Sequence, residues 1–142
     1  MKPARVHRLL LWCAATDKTF ARVDLGGIPA LVGKCIHCGS KLTLDLAGRP
    51  LSSATLEHIV PRTHGGTDAL DNLAMACRRC NLQKGYRLDD RPRSDPKLNA
   101  VIETLRRRRR ERLRDPLAGL TLPELAGVEG VVEEHKPRRR RP

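Results

Sequence analysis

Between residues 41 and 46 apolar side chains (Leu42, Leu44, Leu46) alternate with polar ones, the period of two that a half-buried strand requires. Ala47-Gly48-Arg49-Pro50 supplies a turn, and residues 54–59 read as a second strand that Pro61 stops. Gly65-Gly66 marks a loop whose backbone must bend sharply. Residues 72–76 then pair back as a third, short strand, and residues 78–86 predict a helix ended at Gly85. Further on, Asp95 is an N-cap candidate followed by Pro96 at the first helical position. Leu98, Val101, Ile102 and Leu105 recur at helical spacing, so a helix over 96–114 can pack one face on a core before Asp115-Pro116 ends it. Near the start, the short apolar block 9–15 gives way to the polar Thr16-Asp17-Lys18, which reads as a helix or strand packed on the same core. Residues 117–132 have no sustained period, and 133–142 read as disordered.

A chain of 142 residues holds at most one compact domain with extensions. The pattern divides it into an N-terminal extension (1–34), a core (35–86), a basic helical extension (87–115) and a flexible basic tail (116–142). The fold class expected is small α+β. Aromatic residues make up only 2% of the chain, so a small core must be supplemented, and a metal staple is the usual supplement. Lys and Arg number 28 against 16 acids, for a net charge of +12, densest toward the C-terminus. That excess favours a polyanionic partner. No apolar run approaches the roughly twenty residues of a membrane span. With no signal peptide visible either, the expectation is a cytoplasmic protein that does not engage membranes.

The staple is visible in Cys35-Ile36-His37-Cys38 and Cys77-Arg78-Arg79-Cys80. Two thiolates on one tight turn can reach the same ion, and two such turns complete a tetrahedral four-sulfur shell around Zn²⁺. A redox pair would need a βαβ context that is missing, and disulfides an oxidising compartment. His37 is an alternative ligand, less suited because four Cys already suffice, and Cys13 reads as a small buried apolar residue.

Between and after the two turns stand Glu57-His58-Ile59-Val60-Pro61-Arg62, Gly65-Gly66, Asp68 with Asn72-Leu73, and Cys77 to Gly85 with Asn81 and Lys84. In that order they resemble the HNH endonucleases, which carry a ββα-metal core. The resemblance covers residues 35–86. It implies a ββα-metal nuclease core in which His58 is the general base and Asn72 orients it. It also implies that Glu57 and Asn81 hold one catalytic Mg²⁺ or Mn²⁺. The last position is Asn81 where the family name has His.

The chemistry points the same way. Phosphodiester hydrolysis needs a group that takes a proton from water, and a neutral imidazole such as that of His58 can do so. A hard cation on oxygen ligands can offset charge on the phosphoryl group while leaving positions open. Asn72 would either accept the ring N–H or tie the loop to the strand. Arg62, Arg78, Arg79, Lys84 and Arg106, Arg107, Arg108, Arg109 and Arg110 are candidates for DNA phosphates. His64, in the Gly-Gly loop, is a second-rank candidate for substrate contact, while His7 and His135 read as structural or exposed. No organic cofactor is called for, and the oligomeric state is left open. The rival reading is a non-catalytic zinc module that binds nucleic acid and needs only the four Cys and the basic surface.

Overall fold

The computed structural model describes residues 1–125. Helix α1 (Pro3–Ala15) has proline in its first turn and buries Leu9, Leu10, Leu11, Cys13, Ala14 and Ala15. Strands β1 (Ala21–Leu25) and β2 (Ile28–Lys34) follow as a hairpin. Its two turn residues, Gly26 and Gly27, both take positive φ, which lets the turn follow the twist of the strands. β2 pairs antiparallel with β3 (Lys41–Asp45) to close a three-stranded sheet in the order β1-β2-β3.

The second sheet is the antiparallel pair β4 (Ala54–His58) and β5 (Leu73–Cys77), in the register Ala54↔Cys77 to His58↔Leu73. Between them a 3₁₀ turn (Arg62–His64), the glycine loop and a second 3₁₀ turn (Leu70–Asn72) bring the chain back. Gly65 closes the first turn at φ 84°, and a Cβ on Gly66 would lie 1.7 Å from the Val60 carbonyl oxygen, so neither position accepts a side chain as built. Helix α2 (Arg78–Lys84) packs on β4 and β5, completing a ββα unit. Gly85 does not stop it in a left-handed turn. Its φ is −58°, and the chain runs on into a π-turn (Gly85–Asp89).

Helix α3 (Pro96–Arg112) is capped by the Asp95 carboxylate, which accepts from the Lys97 and Leu98 amides, and it buries Leu98, Ile102 and Leu105 as its period requires. It ends two residues before the expected 114. Leu113 turns extended and bridges to Asp17, and the Arg114 amide bonds the Thr16 carbonyl.

One hydrophobic core joins α1, β2, β3, β4, β5 and α3. α1 packs on β4 and β5, so the apolar block 9–15 lies on the shared core as its pattern predicts. The first part of the tail expected over 116–142 is instead held to the body: Leu125 is 3% exposed, the Trp12 indole N–H donates to the Pro123 carbonyl at 2.6 Å, and the Leu117 amide bonds the Ala15 carbonyl. The disordered stretch expected over 133–142 lies outside the described residues.

Candidate active site and zinc centre

The two Cys-x-x-Cys turns meet. Cys35 and Cys38 follow β2, Cys77 closes β5, and Cys80 lies in the first turn of α2. The ligand atoms of all four lie within 4.8 Å of one another. Tetrahedral zinc at about 2.3 Å per sulfur puts sulfurs about 3.8 Å apart, and Cys38 Sγ is 3.9 Å from Cys77 Sγ. Backbone amides already point at the sulfurs: His37 and Cys77 donate to Cys35 Sγ, and Cys80 to Cys77 Sγ. The thiols are electrostatically uneven. The Ser40 hydroxyl beside Cys38 holds that thiol down to about 6, whereas burial, then hydrogen bonding to Cys77 and Cys38, pushes Cys80 up to about 12. Four thiols this close cannot all ionise without a cation between them, so the donor set fits a divalent, sulfur-preferring ion such as zinc. With four sulfurs its shell is full, which marks a structural rather than a catalytic metal.

His58 closes β4. Its Nε2 is 2.8 Å from Asp68 Oδ1, and Asp68 Oδ2 accepts from the Arg5 guanidinium of α1 at 3.2 Å. Burial tends to raise the Asp68 pKa, but the hydrogen bonds from His58 and Arg5 outweigh it and hold the carboxyl below its ordinary range. Asn72 does not reach the imidazole; of the two expected roles it takes the second. Its Oδ1 accepts from the Val60 amide at 2.9 Å, and its Nδ2 donates to the Val60 and Thr67 carbonyls. The loop carrying Asp68 is thereby pinned to the end of the strand.

On β4 successive side chains face opposite sides, and Glu57 turns toward α2. Its carboxylate is 1% exposed, with Oε1 2.6 Å from His37 Nε2 and Oε2 3.1 Å from Lys84 Nζ. Asn81, one turn earlier on α2, donates through Nδ2 to Thr55 Oγ1 and the Leu56 carbonyl. A carboxylate and an amide oxygen are the right donor types for a hard cation. An ammonium and an imidazole occupy both Glu57 oxygens, so a cation at this carboxylate would have to displace Lys84 or His37. The His37 imidazole is accordingly a partner of Glu57, and the four-cysteine cluster does not include it.

The basic candidates divide. Arg62, Arg78, Arg79, Arg107 and Arg110 are exposed, and Arg106 is partly so. Arg106 and Arg110 line a groove of about 430 Å³ with His64, Gly65, Gly66 and Asn72. Arg78 and Asn81 line a second groove, of about 790 Å³. Lys84 departs from the expected phosphate contact: it is 3% exposed, and its ammonium bonds Glu57, Asp89 and the His58 carbonyl. Arg109 departs as well, being 1% exposed and bonded to Leu70 O, Thr16 O and Thr16 Oγ1. Arg108 donates to the Ile36 and His37 carbonyls, which ties α3 to the first zinc turn. His64 bonds the Asp89 carbonyl, and His135 lies outside the described residues. Sequence reading assigned no role to Asp68, Arg5 or the His37–Glu57 contact. Asp68 stood in the Gly-Gly motif with a signal of position only, while Arg5 had none.

A strand pair and a helix joined at a four-cysteine cluster, with a histidine closing one strand, define a small ββα unit suited to a structural zinc. Residues 35–87, a little over a third of the chain, match the family model described as HNH endonuclease. Over 53 residues the chain is 40% identical to the CRISPR-associated endonuclease Cas9 of Corynebacterium diphtheriae, a match covering 37% of this chain and 4% of that protein. The chain thus spans only a small fraction of that relative's length. No solved structure matches.

Proposed function

We propose that the chain is a DNA endonuclease of HNH type that hydrolyses phosphodiester bonds with His58 as general base. The observation that carries the reading is the His58 imidazole, 17% exposed at the end of β4 and bonded through Nε2 to Asp68, inside the segment that matches the nuclease family. In the proposed reaction a water oxygen attacks phosphorus, its proton passes to His58 Nδ1, and the P–O3′ bond breaks with its electron pair going to O3′, which takes a proton from solvent. Arg62, exposed at the start of the 3₁₀ turn beside Asp68, supplies positive charge next to that centre, and Arg106 and Arg110 hold phosphates along the adjoining groove.

HNH chemistry implies a divalent cation, which when bound offsets charge on the phosphoryl and departing oxygens. Glu57 and Asn81 are the candidate donors, and no step is assigned to the ion while Lys84 and His37 hold Glu57. That closed carboxylate favours a second reading, a zinc-dependent nucleic-acid-binding module without catalysis. His58→Ala separates the two. It should abolish DNA cleavage, a loss of ~10²–10⁴-fold or more, while leaving DNA binding and zinc content unchanged. Cleavage at the wild-type rate by that variant would remove His58 from the mechanism, and a wild-type chain that binds but never cuts would leave the binding module.

A further inference from the structure

The His58 ring is held at one nitrogen. Nε2 meets Asp68 Oδ1 at 2.8 Å, and among the described residues nothing bonds Nδ1. Asp68 is fixed on its other side by Arg5 Nη2 at 3.2 Å. It is fixed from below by Asn72, whose amide bonds the carbonyl of the preceding residue, Thr67, at 2.8 Å. A carboxylate can only accept, so it selects the ring tautomer that carries hydrogen on Nε2 and leaves the Nδ1 lone pair available. Arg5 belongs to α1, thirty residues before the segment that matches the nuclease family begins at residue 35.

We infer that Asp68, braced by Arg5 from α1, is the positioning residue of His58, fixing its tautomer and ring orientation so that Nδ1 faces the substrate. The inference rests on the nuclease reading for its consequence and on the geometry alone for its first test. When Nδ1 takes the proton of the attacking water, the ring becomes an imidazolium. Its positive charge then lies against the Asp68 carboxylate, which stabilises it without itself taking the proton. Asn72 acts one step further back: it holds the loop that holds Asp68. The N-terminal helix is in this way part of the site, supplying a brace that the HNH segment does not itself contain.

Substitution to asparagine makes a sharp test. Arg5 can only donate, so in Asp68→Asn the amide oxygen must turn toward Arg5 and the NH₂ toward His58. An NH₂ group donates to Nε2 and so forces hydrogen onto Nδ1, the wrong tautomer for a base at that atom. The readout is the ¹⁵N spectrum of the histidine rings at about pH 8.5, above the ordinary histidine range, with the His58 signals assigned by their loss in His58→Ala. The wild-type chain should show His58 protonated at Nε2 and Asp68→Asn at Nδ1. Cleavage by Asp68→Asn should fall ~10²–10⁴-fold with DNA binding unchanged. Asp68→Glu, which restores a carboxylate, should recover the Nε2–H form and part of the rate.

Nδ1–H in the wild-type protein would overturn the inference without any variant, as would Nε2–H with wild-type cleavage in Asp68→Asn. The tautomer is read whether or not the protein cuts DNA. A chain that never cleaves, yet switches tautomer as described, would refute the nuclease reading and leave the positioning role standing.

Discussion

At the scale of single residues, Glu57 carries the largest difference between pattern and placement. A glutamate followed by the candidate base reads as a metal ligand, and its donor chemistry suits that role. In the folded chain it is buried, paired with the Lys84 ammonium and hydrogen-bonded to the His37 imidazole. Burying a carboxylate without partners costs several kcal/mol, so the pairing is a condition of the fold. Lys84→Met should therefore lower stability by about 3–5 kcal/mol, read as a shift of the denaturant midpoint with unchanged slope. An unaltered midpoint would mean that Glu57 does not depend on Lys84. The Asp68 carboxyl, held below its ordinary range by His58 and Arg5, has a defined pH signature. A depressed carboxylate contributes stability above its unfolded pKa of about 3.9 and loses it as pH falls through the lower folded value. In Asp68→Ala the acid limb of the stability profile should accordingly flatten; the same slope in both proteins would contradict the pairing.

Among the elements, α3 shows how much of a pattern can be seen in advance. Leu98, Val101, Ile102 and Leu105 announced its buried face, and the Asp95 cap its start. The arginine run looked uniform because charge alone says nothing about direction. Spacing, however, does: Arg109 lies four residues after Leu105, on the stripe that Leu98, Ile102 and Leu105 define, and it is the arginine that is buried. There its guanidinium bonds backbone and hydroxyl oxygens of residues 16 and 70. Arg109→Ala should thus destabilise the fold by about 1–3 kcal/mol for the acceptors left unpaired. Arg106→Ala with Arg110→Ala should leave stability alone and weaken DNA binding. The pair should also flatten the slope of log K against log salt by roughly 0.9 for each phosphate no longer neutralised. Equal effects of the two sets on stability would erase the distinction. The β1–β2 hairpin was missed for a different reason. Its outer strand is exposed along its whole length, so burial imposed no alternation. The Gly26-Gly27 turn between Leu25 and Ile28 was its one available signal.

Over the whole molecule, the ββα unit was readable because its parts are local: cysteine spacing, strand alternation and turn residues each lie within a few positions. What joins that unit to the rest is long-range. Arg5 reaches Asp68, Arg108 reaches the first zinc turn, and Trp12 meets Pro123, contacts no local period announces. The four-cysteine cluster sits where β5, α2 and the turn after β2 converge, so an ion held there would tie the two sheets together. Metal analysis should find one zinc per chain, and its removal by a chelator should unfold the ββα unit, seen as loss of protection in β4, β5 and α2 by hydrogen exchange. A well-folded chain free of zinc would contradict this. Whether this fold cuts DNA is decided by incubating supercoiled plasmid with the purified, zinc-loaded chain, with and without added Mg²⁺ or Mn²⁺, beside His58→Ala. Cation-dependent conversion to nicked or linear forms is expected from the wild-type protein and none from the variant; plasmid bound but left supercoiled under every condition would refute the nuclease reading.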